Sequence, residues 1–495
     1  MIMMIFLSIS RGLLMSEKSK MYEYFLKVAN VRSNRTAINS KKESITYGQL
    51  NEYVNKLTRH LNHHGIISGT SVGLVLVNSI LNVISVLALS NIKAKMMFFH
   101  PKMTAQECQK IGLFSPEYII FDENEFFITD NTFSLADYEE YFSMYLTDFR
   151  ESTIFQMGYK HDMKGSMMFF SSGSAGNPKG IVKTEEQILE EAGQIVSTLG
   201  IKECDRIVCS AQLCHSYGFM FGMTVPLLNG CEITYTDPII LVSKLESLLK
   251  SNTIFIGLPT HYRLLCEYSN QKFGNIRIAL SGGSAMSLEE KNKIEFLDIQ
   301  ISNIYGMSET GALMIENNKY NDRSLFTYPY RLITGVEMKL DYNESYDFRG
   351  QFAYELLVKT NALCVCIIDD GKVKENYFDQ WFPTGDLVVT NEKGFHIVGR
   401  KDLTINVGGK KVNPFEIEFV LKGHPSVNEA IVYGISDVKR GQVPIALVTV
   451  KQQIDKKELF DLCREKLSVH KIPQNIEVRS SLPTSSMGKI LRKIK

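Results

Sequence analysis

Residues 167–181 read Met-Met-Phe-Phe-Ser-Ser-Gly-Ser-Ala-Gly-Asn-Pro-Lys-Gly-Ile, four apolar side chains running straight into a loop of small residues. The apolar run suits a short buried strand, and the stretch from Ser171 to Gly180 holds three serines, three glycines and one lysine. Glycines let N–H groups turn inward, hydroxyls donate to phosphate oxygens, and Lys179 adds a positive charge. The Walker A pattern does not fit, because Pro178-Lys179-Gly180 stands where Gly-Lys-Ser/Thr is required. The loop is therefore expected to hold a nucleoside triphosphate, though not as a P-loop kinase or GTPase does. Taken alone, the same composition also suits a flexible linker.

At 495 residues the chain is too long for one core, and roughly three units of ordinary size are expected. Lys plus Arg number 55 against 54 Asp plus Glu, so nothing in the charge points to nucleic acid or an anionic membrane. The nine cysteines form no Cys-x-x-Cys pair and no zinc-spaced cluster; only Cys364 and Cys366 are close. Reduced thiols and a cytoplasmic location are the simplest expectation. Residues 1–15 include an apolar run over 1–8 that lacks a basic flank and a cleavage site and is too short to span a bilayer. They read as an upstream extension, with Met15 or Met21 as a start, and no integral membrane span is expected.

Hydrophobic rhythm places a helix from residue 47, with Thr46 as its cap and Leu50, Tyr53, Val54, Leu57 and Leu61 on one face. A strand over 71–77, a helix over 80–89 and a strand over 96–99 then follow in the order of a parallel α/β layer. Residues 122–151 read as irregular connection, and 184–195 as helix. Strands are expected at 254–257 and 276–281, the second leading into Ser281-Gly282-Gly283. Residues 334–337 and 354–359 read as strands of a β-rich part. The end of the chain alternates compactly, with helices at 414–421 and 456–466 and strands at 429–433 and 444–450.

The stretch from Ser171 to Gly180 resembles the phosphate loop of the adenylate-forming (AMP-binding) enzymes, the superfamily of acyl-CoA synthetases, luciferases and peptide-synthetase adenylation domains. Ala175 replaces the usual Thr. Further motifs follow in that family's order: His215-Ser-Tyr-Gly218, Tyr305-Gly306-Met307-Ser308-Glu309, Thr384-Gly385-Asp386, Gly399-Arg400-Lys401-Asp402, Gly408-Gly409, and Pro483-x-x-x-x-Gly488-Lys489. The resemblance implies that Ser171, Ser172, Gly173, Ser174, Gly176 and Lys179 hold the β- and γ-phosphates of ATP. It places Gly282, Gly283, Ser284, Tyr305 and Gly306 at the adenine, Ser308 at the α-phosphate and Glu309 on magnesium. Asp386 and Arg400 would serve the ribose and phosphate, His215 the acyl pocket, and the Gly408–Gly409 strand the thiol tunnel. Asp402 would be the hinge, and Lys489 the adenylation lysine. The chain departs from the pattern at Lys95 and 98–101, at Glu185 where His is usual, and over 361–379.

The implied fold is α/β: a large N-terminal domain over 16–400, made of two doubly layered α/β subdomains plus a small β-barrel-like subdomain. A small mobile α+β C-terminal domain would occupy 401–495. The implied activity is ATP- and magnesium-dependent conversion of a carboxylic acid to an acyl adenylate, then to a coenzyme A thioester. The Met, Phe and Leu residues over 219–228 make a fatty acid the first choice of substrate. An aryl or succinylbenzoyl acid is second, and loading of a separate carrier protein is a further alternative. Amino-acid-activating members carry an Asp in the segment over 211–230 to pair with the substrate ammonium; no acidic residue occurs there, which disfavours an amino acid.

Overall fold

The computed structural model describes residues 19–40, 44–102, 116–122, 142–146, 163–172, 178–237, 252–269, 272–274, 276–284, 288–316, 329–369, 372–375 and 380–482, with 241, 243, 244, 247, 248 and 286 besides. Packing divides the chain into two compact units: Met1–Glu316 with Leu332–Val336 and Thr360–Asp379, and Asn317–Arg331 with Glu337–Lys359 and Gln380–Lys495. The second unit thus takes in 337–359 and 380–400 along with the C-terminal residues, and Asp402 lies inside it.

The first unit holds two sheets. One runs, in spatial order, Lys372–Glu375, Cys366–Asp369, Pro178–Lys183, Met167–Ser172, Lys95–Phe98, Ser71–Val75, Tyr118–Asp122 and Phe142–Leu146. Its middle is parallel and its edges antiparallel. Met167–Ser172 is called β1 and Pro178–Lys183 β2 below. The connection expected to be irregular over 122–151 therefore contains a strand, Phe142–Leu146, paired with Tyr118–Asp122. An edge strand offers unpaired N–H and C=O groups, and a short apolar segment satisfies them without a strong signal of its own. Between strands, the helix Ile80–Ile92 is buried on every side from Leu81 to Ser90, as a helix without a polar face must be. The helix Tyr47–His63 opens with the Thr46 cap, closed into a capping box by Gln49.

The second sheet of this unit places Thr36–Asn39, Glu232–Tyr235, Arg206–Cys209, Thr253–Gly257, Ile276–Ser281 and Ile301–Met307 side by side in parallel. Glu185–Leu199 is called α1, Ile301–Met307 β3 and Gly311–Glu316 β4. The β3–β4 pair is antiparallel and closes around residues 308–310. The segment over 216–229 is helical throughout, Ser216–Phe219 and Val225–Asn229 flanking a π-helical turn at Met220–Thr224. Its apolar residues belong to the core: Phe219 and Met223 are 0% exposed, and the Phe219 ring lies 5.0 Å from Phe98 and 5.2 Å from Phe169. The run that suggested a fatty-acyl channel is filled with its own neighbours.

Glu185, where the family pattern has His, ties the start of the described chain to this core. It accepts from Ser19 Oγ at 2.6 Å and Ser90 Oγ at 2.7 Å. Burial pushes its pKa up despite those bonds.

In the second unit, Glu337–Phe348, Gln351–Lys359, Phe382–Asn391 and Gly394–Arg400 form an antiparallel sheet over a core that includes Tyr346, Phe348, Leu387 and Val398. Residues 334–336 turn into this sheet and are not part of the strand expected there. A further sheet of Lys410–Val412, Ile405–Val407, Gly441–Val450, Val427–Asp437 and Asn475–Val478 packs the helices Pro414–Lys422 and Lys456–Lys466. Among the described residues, no helix is long and apolar enough to cross a membrane.

Candidate active site

Strand pairing sets up the phosphate loop. In the β1–β2 hairpin Ser171 stands opposite Lys179 and Phe170 opposite Gly180, so the two ends of the serine–glycine loop are held as a ladder pair. Gly173, Ser174 and Gly176 lie outside the described residues, as does the side chain of Ser172. The Lys179 Nζ is 3.0 Å from Asp369 Oδ2, both half-buried. Sequence reasoning did not find this partner, because Asp369 arrives from a strand almost two hundred positions away.

The β3–β4 hairpin brings Ser308 and Glu309 to a tight turn in the same unit. Ser308 Oγ lies 3.1 Å from Ser216 Oγ, and Glu309 O accepts from Cys364 N at 2.7 Å. His215, directly before Ser216, is thereby brought near Ser308. Its ring sits 5.7 Å from that of His100. Burial, with the neighbouring His100, pushes the His215 pKa down to about 4, so the ring is neutral near pH 7. That fits a pocket wall rather than a proton carrier.

Gly282 is buried at the end of Ile276–Ser281, and a Cβ there would stand 2.6 Å from Tyr217 Cε2. The Tyr217 ring therefore rests on the glycine itself, a close approach that no other residue permits. Among the described residues, the Tyr217 hydroxyl and the Ser281 hydroxyl are buried without a hydrogen-bond partner. A polar ligand group at this turn would satisfy them. Gly283, with φ 81°, and Ser284 follow on the exposed side of the turn.

The donor set suits a metal–nucleotide. Tyr305 and Glu309 are half-buried and Gly306 exposed, and the Glu309 carboxylate forms no ion pair with any described residue. A free carboxylate beside hydroxyls is what a hard cation shared with phosphate oxygens requires.

In the second unit, Asp386 and Arg400 face each other across two strands. Arg400 Nη1 donates to Asp386 Oδ1 at 3.1 Å and its Nε to Asp402 Oδ1 at 3.0 Å. Asp386 lies inside the strand Phe382–Asn391, just after Gly385 at φ 73°. Gly408 and Gly409 are not strand: they form the two-residue turn between Ile405–Val407 and Lys410–Val412, with φ of 57° and 83°. Lys489 lies outside the described residues.

The family model for AMP-binding enzymes matches residues 25–346, and that for the AMP-binding enzyme C-terminal domain matches 416–489. The chain belongs to the adenylate-forming, AMP-binding enzyme superfamily. Within the superfamily it is 26% identical over 480 residues to the 2-succinylbenzoate–CoA ligase of Listeria monocytogenes serotype 4b (strain F2365), covering 95% of this chain and 98% of that one. Its fold is similar to that of the o-succinylbenzoate CoA synthetase of Bacillus subtilis in complex with the acyl-adenylate intermediate, at a TM-score of 0.78 and 21% identity over 97% of this chain and 98% of that chain. The same Bacillus subtilis synthetase in complex with ATP and magnesium gives a TM-score of 0.74 and 22% identity over 95% and 98%. These names match the aryl alternative better than the fatty acid that was the first choice.

Proposed function

We propose that this chain is an AMP-forming acid–thiol ligase that activates an aryl carboxylic acid of the succinylbenzoyl kind and transfers it to coenzyme A. The end-to-end match to 2-succinylbenzoate–CoA ligases carries the reading. The Tyr217 ring supports it, because it rests against Gly282 and is a flat aromatic surface at that turn. A cytoplasmic location goes with it: the eight described cysteines are all free, as thiols are in a reducing compartment.

In the first half-reaction a carboxylate oxygen attacks the α-phosphorus of ATP and pyrophosphate leaves. The acyl oxygen thereby becomes part of a good leaving group. Charge gathers on the α-phosphate, so the protein's task is placement and electrostatic stabilisation rather than covalent catalysis. Lys489 and Ser308 are assigned to the α-phosphate and acyl oxygen, and the Ser171–Lys179 loop to the β- and γ-phosphates. Magnesium, when bound at Glu309, neutralises phosphate charge. Tyr305 and the Gly282–Ser284 turn are assigned to adenine, Asp386 and Arg400 to ribose. In the second half-reaction the coenzyme A sulfur attacks the acyl carbon and AMP leaves, with the Gly408–Gly409 turn assigned to the thiol side and Asp402 to the hinge of a C-terminal domain over 401–495.

Pyrophosphate release across a panel of aryl and aliphatic acids, with coenzyme A or a carrier protein as acceptor, tests this. Highest turnover with an aryl keto acid and coenzyme A is expected. Preference for long-chain fatty acids, or for a carrier protein, would sink it.

A further inference from the structure

Two buried charges in the first unit have no part in the roles assigned above. Lys183 closes β2 and Glu191 lies in the second turn of α1, their side chains 1% and 6% exposed. Lys183 Nζ donates to Glu191 Oε2 at 2.7 Å. The other carboxylate oxygen, Oε1, accepts from Ala312 N at 3.2 Å. Gly311 and Ala312 open β4 immediately after the turn that holds Ser308 and Glu309, and Gly311 pairs back to Met307 at the end of β3. A Cβ on Gly311 would stand 2.4 Å from Glu191 Cδ, and the residue has φ 75°. Glu191 therefore presses against the exit of the turn where nothing larger than glycine fits.

A buried ion pair is no more stabilising than well-packed apolar side chains of the same size, so its presence calls for a reason other than stability. The geometry supplies one. Strand alternation puts Lys183 on the same face of β2 as Lys179, four residues back beside the phosphate loop. One rigid strand thus carries the phosphate-binding lysine at one end and, at the other, the lysine that fixes Glu191 under the Glu309 turn. We propose that Lys183 and Glu191 are positioning residues that set the Glu309 turn against the phosphate-loop strand and so determine how strongly magnesium aids ATP binding. The proposal rests on the assignment of Glu309 to the metal.

Two double variants separate positioning from packing. K183M/E191Q and K183M/E191L both remove the charges together; only the glutamine keeps an oxygen for Ala312 N. Calorimetric titration of ATP with and without magnesium, in the absence of any acid, reads the gain in affinity that the metal confers. The glutamine double, which loses the hold of Lys183 and keeps the bond to Ala312 N, is expected to lose about threefold of the wild-type gain, and the leucine double about tenfold or more, the further loss being that of one hydrogen bond. ATP affinity without metal, and thioester formation from a supplied acyl adenylate, should change in neither. Equal metal gain in the two doubles overturns the proposal. If either double lacks a cooperative melt, Gly311→Ala takes its place, since its methyl would stand 2.5 Å from Glu191 Oε2 and 2.8 Å from Oε1 and so forces the turn and the carboxylate apart. A tenfold loss of metal gain there supports the coupling, and an unchanged gain overturns it. A wild type that binds metal–ATP yet turns over no acid fails the functional reading alone, whereas a wild type with no metal gain overturns the coupling.

Discussion

His261 ties the stability of the first unit to pH. It sits in the first turn of the helix Pro259–Tyr268, where its Nδ1 accepts from Leu258 N at 3.2 Å. The residue is 7% exposed, and burial pushes its pKa from 6.5 down to about 4. A proton on Nδ1 would turn that acceptor into a donor facing a donor. The unfolded chain takes up the proton below 6.5 and the folded chain only near 4. The stability is therefore complete at neutral pH and is lost as pH falls through that window, by up to about 1.4 kcal/mol per pH unit. By about pH 4.5 the loss amounts to about 2.5 kcal/mol. Glutamine is the natural capping-box residue at this helix position and offers an oxygen to Leu258 N without titrating. His261→Gln should then match the wild type within about 0.5 kcal/mol at neutral pH and exceed it by about 2.5 kcal/mol near pH 4.5. Urea unfolding followed by circular dichroism across that range measures the gap. His215, also pushed down to about 4, is present in both proteins and cancels. A gap that stays constant with pH, or that widens toward alkaline pH, refutes the reasoning.

Lys489→Ala should abolish pyrophosphate release with acid and ATP while a supplied acyl adenylate is still converted to thioester; parallel rapid-quench assays of the two half-reactions check this, and loss of both contradicts the division of labour. A chain begun at Met21 lacks Ser19, which caps the helix Lys20–Val31 at Tyr22 N, 3.1 Å away, and donates to Glu185. Loss of the cap alone costs about 1 kcal/mol, visible as a melting point a few degrees lower; identical melting of the two chains would show that this cap contributes nothing.

Local chemistry was readable wherever it was local. Thr46 and Gln49 form their capping box as an isolated peptide would be asked to, and the helix Lys456–Lys466 has the bounds that its periodicity gave. The apolar residues over 167–170 form a strand because their neighbours in sequence decide the matter. Other readings failed where the deciding partner was remote. The strand Phe142–Leu146 exists because Tyr118–Asp122 offers it an edge. Gly408 and Gly409 became a turn because Ile405–Val407 and Lys410–Val412 pair with each other. Composition over 219–228 spoke only of apolarity, and the same side chains serve equally as a channel lining or as core. Phe98 and Phe169 decided for core.

Motif order alone was enough to place this chain among the adenylate-forming enzymes, since a loop, a turn and a lysine keep their spacing whatever encloses them. Which side chains brace those motifs was left to the tertiary structure. Asp369 at Lys179, Ser216 at Ser308 and Glu191 beneath Gly311 come from distant segments. The physical reason is range: turn, cap and strand preferences act over a few residues, whereas a buried charge or hydroxyl takes whatever partner the packed sheets deliver.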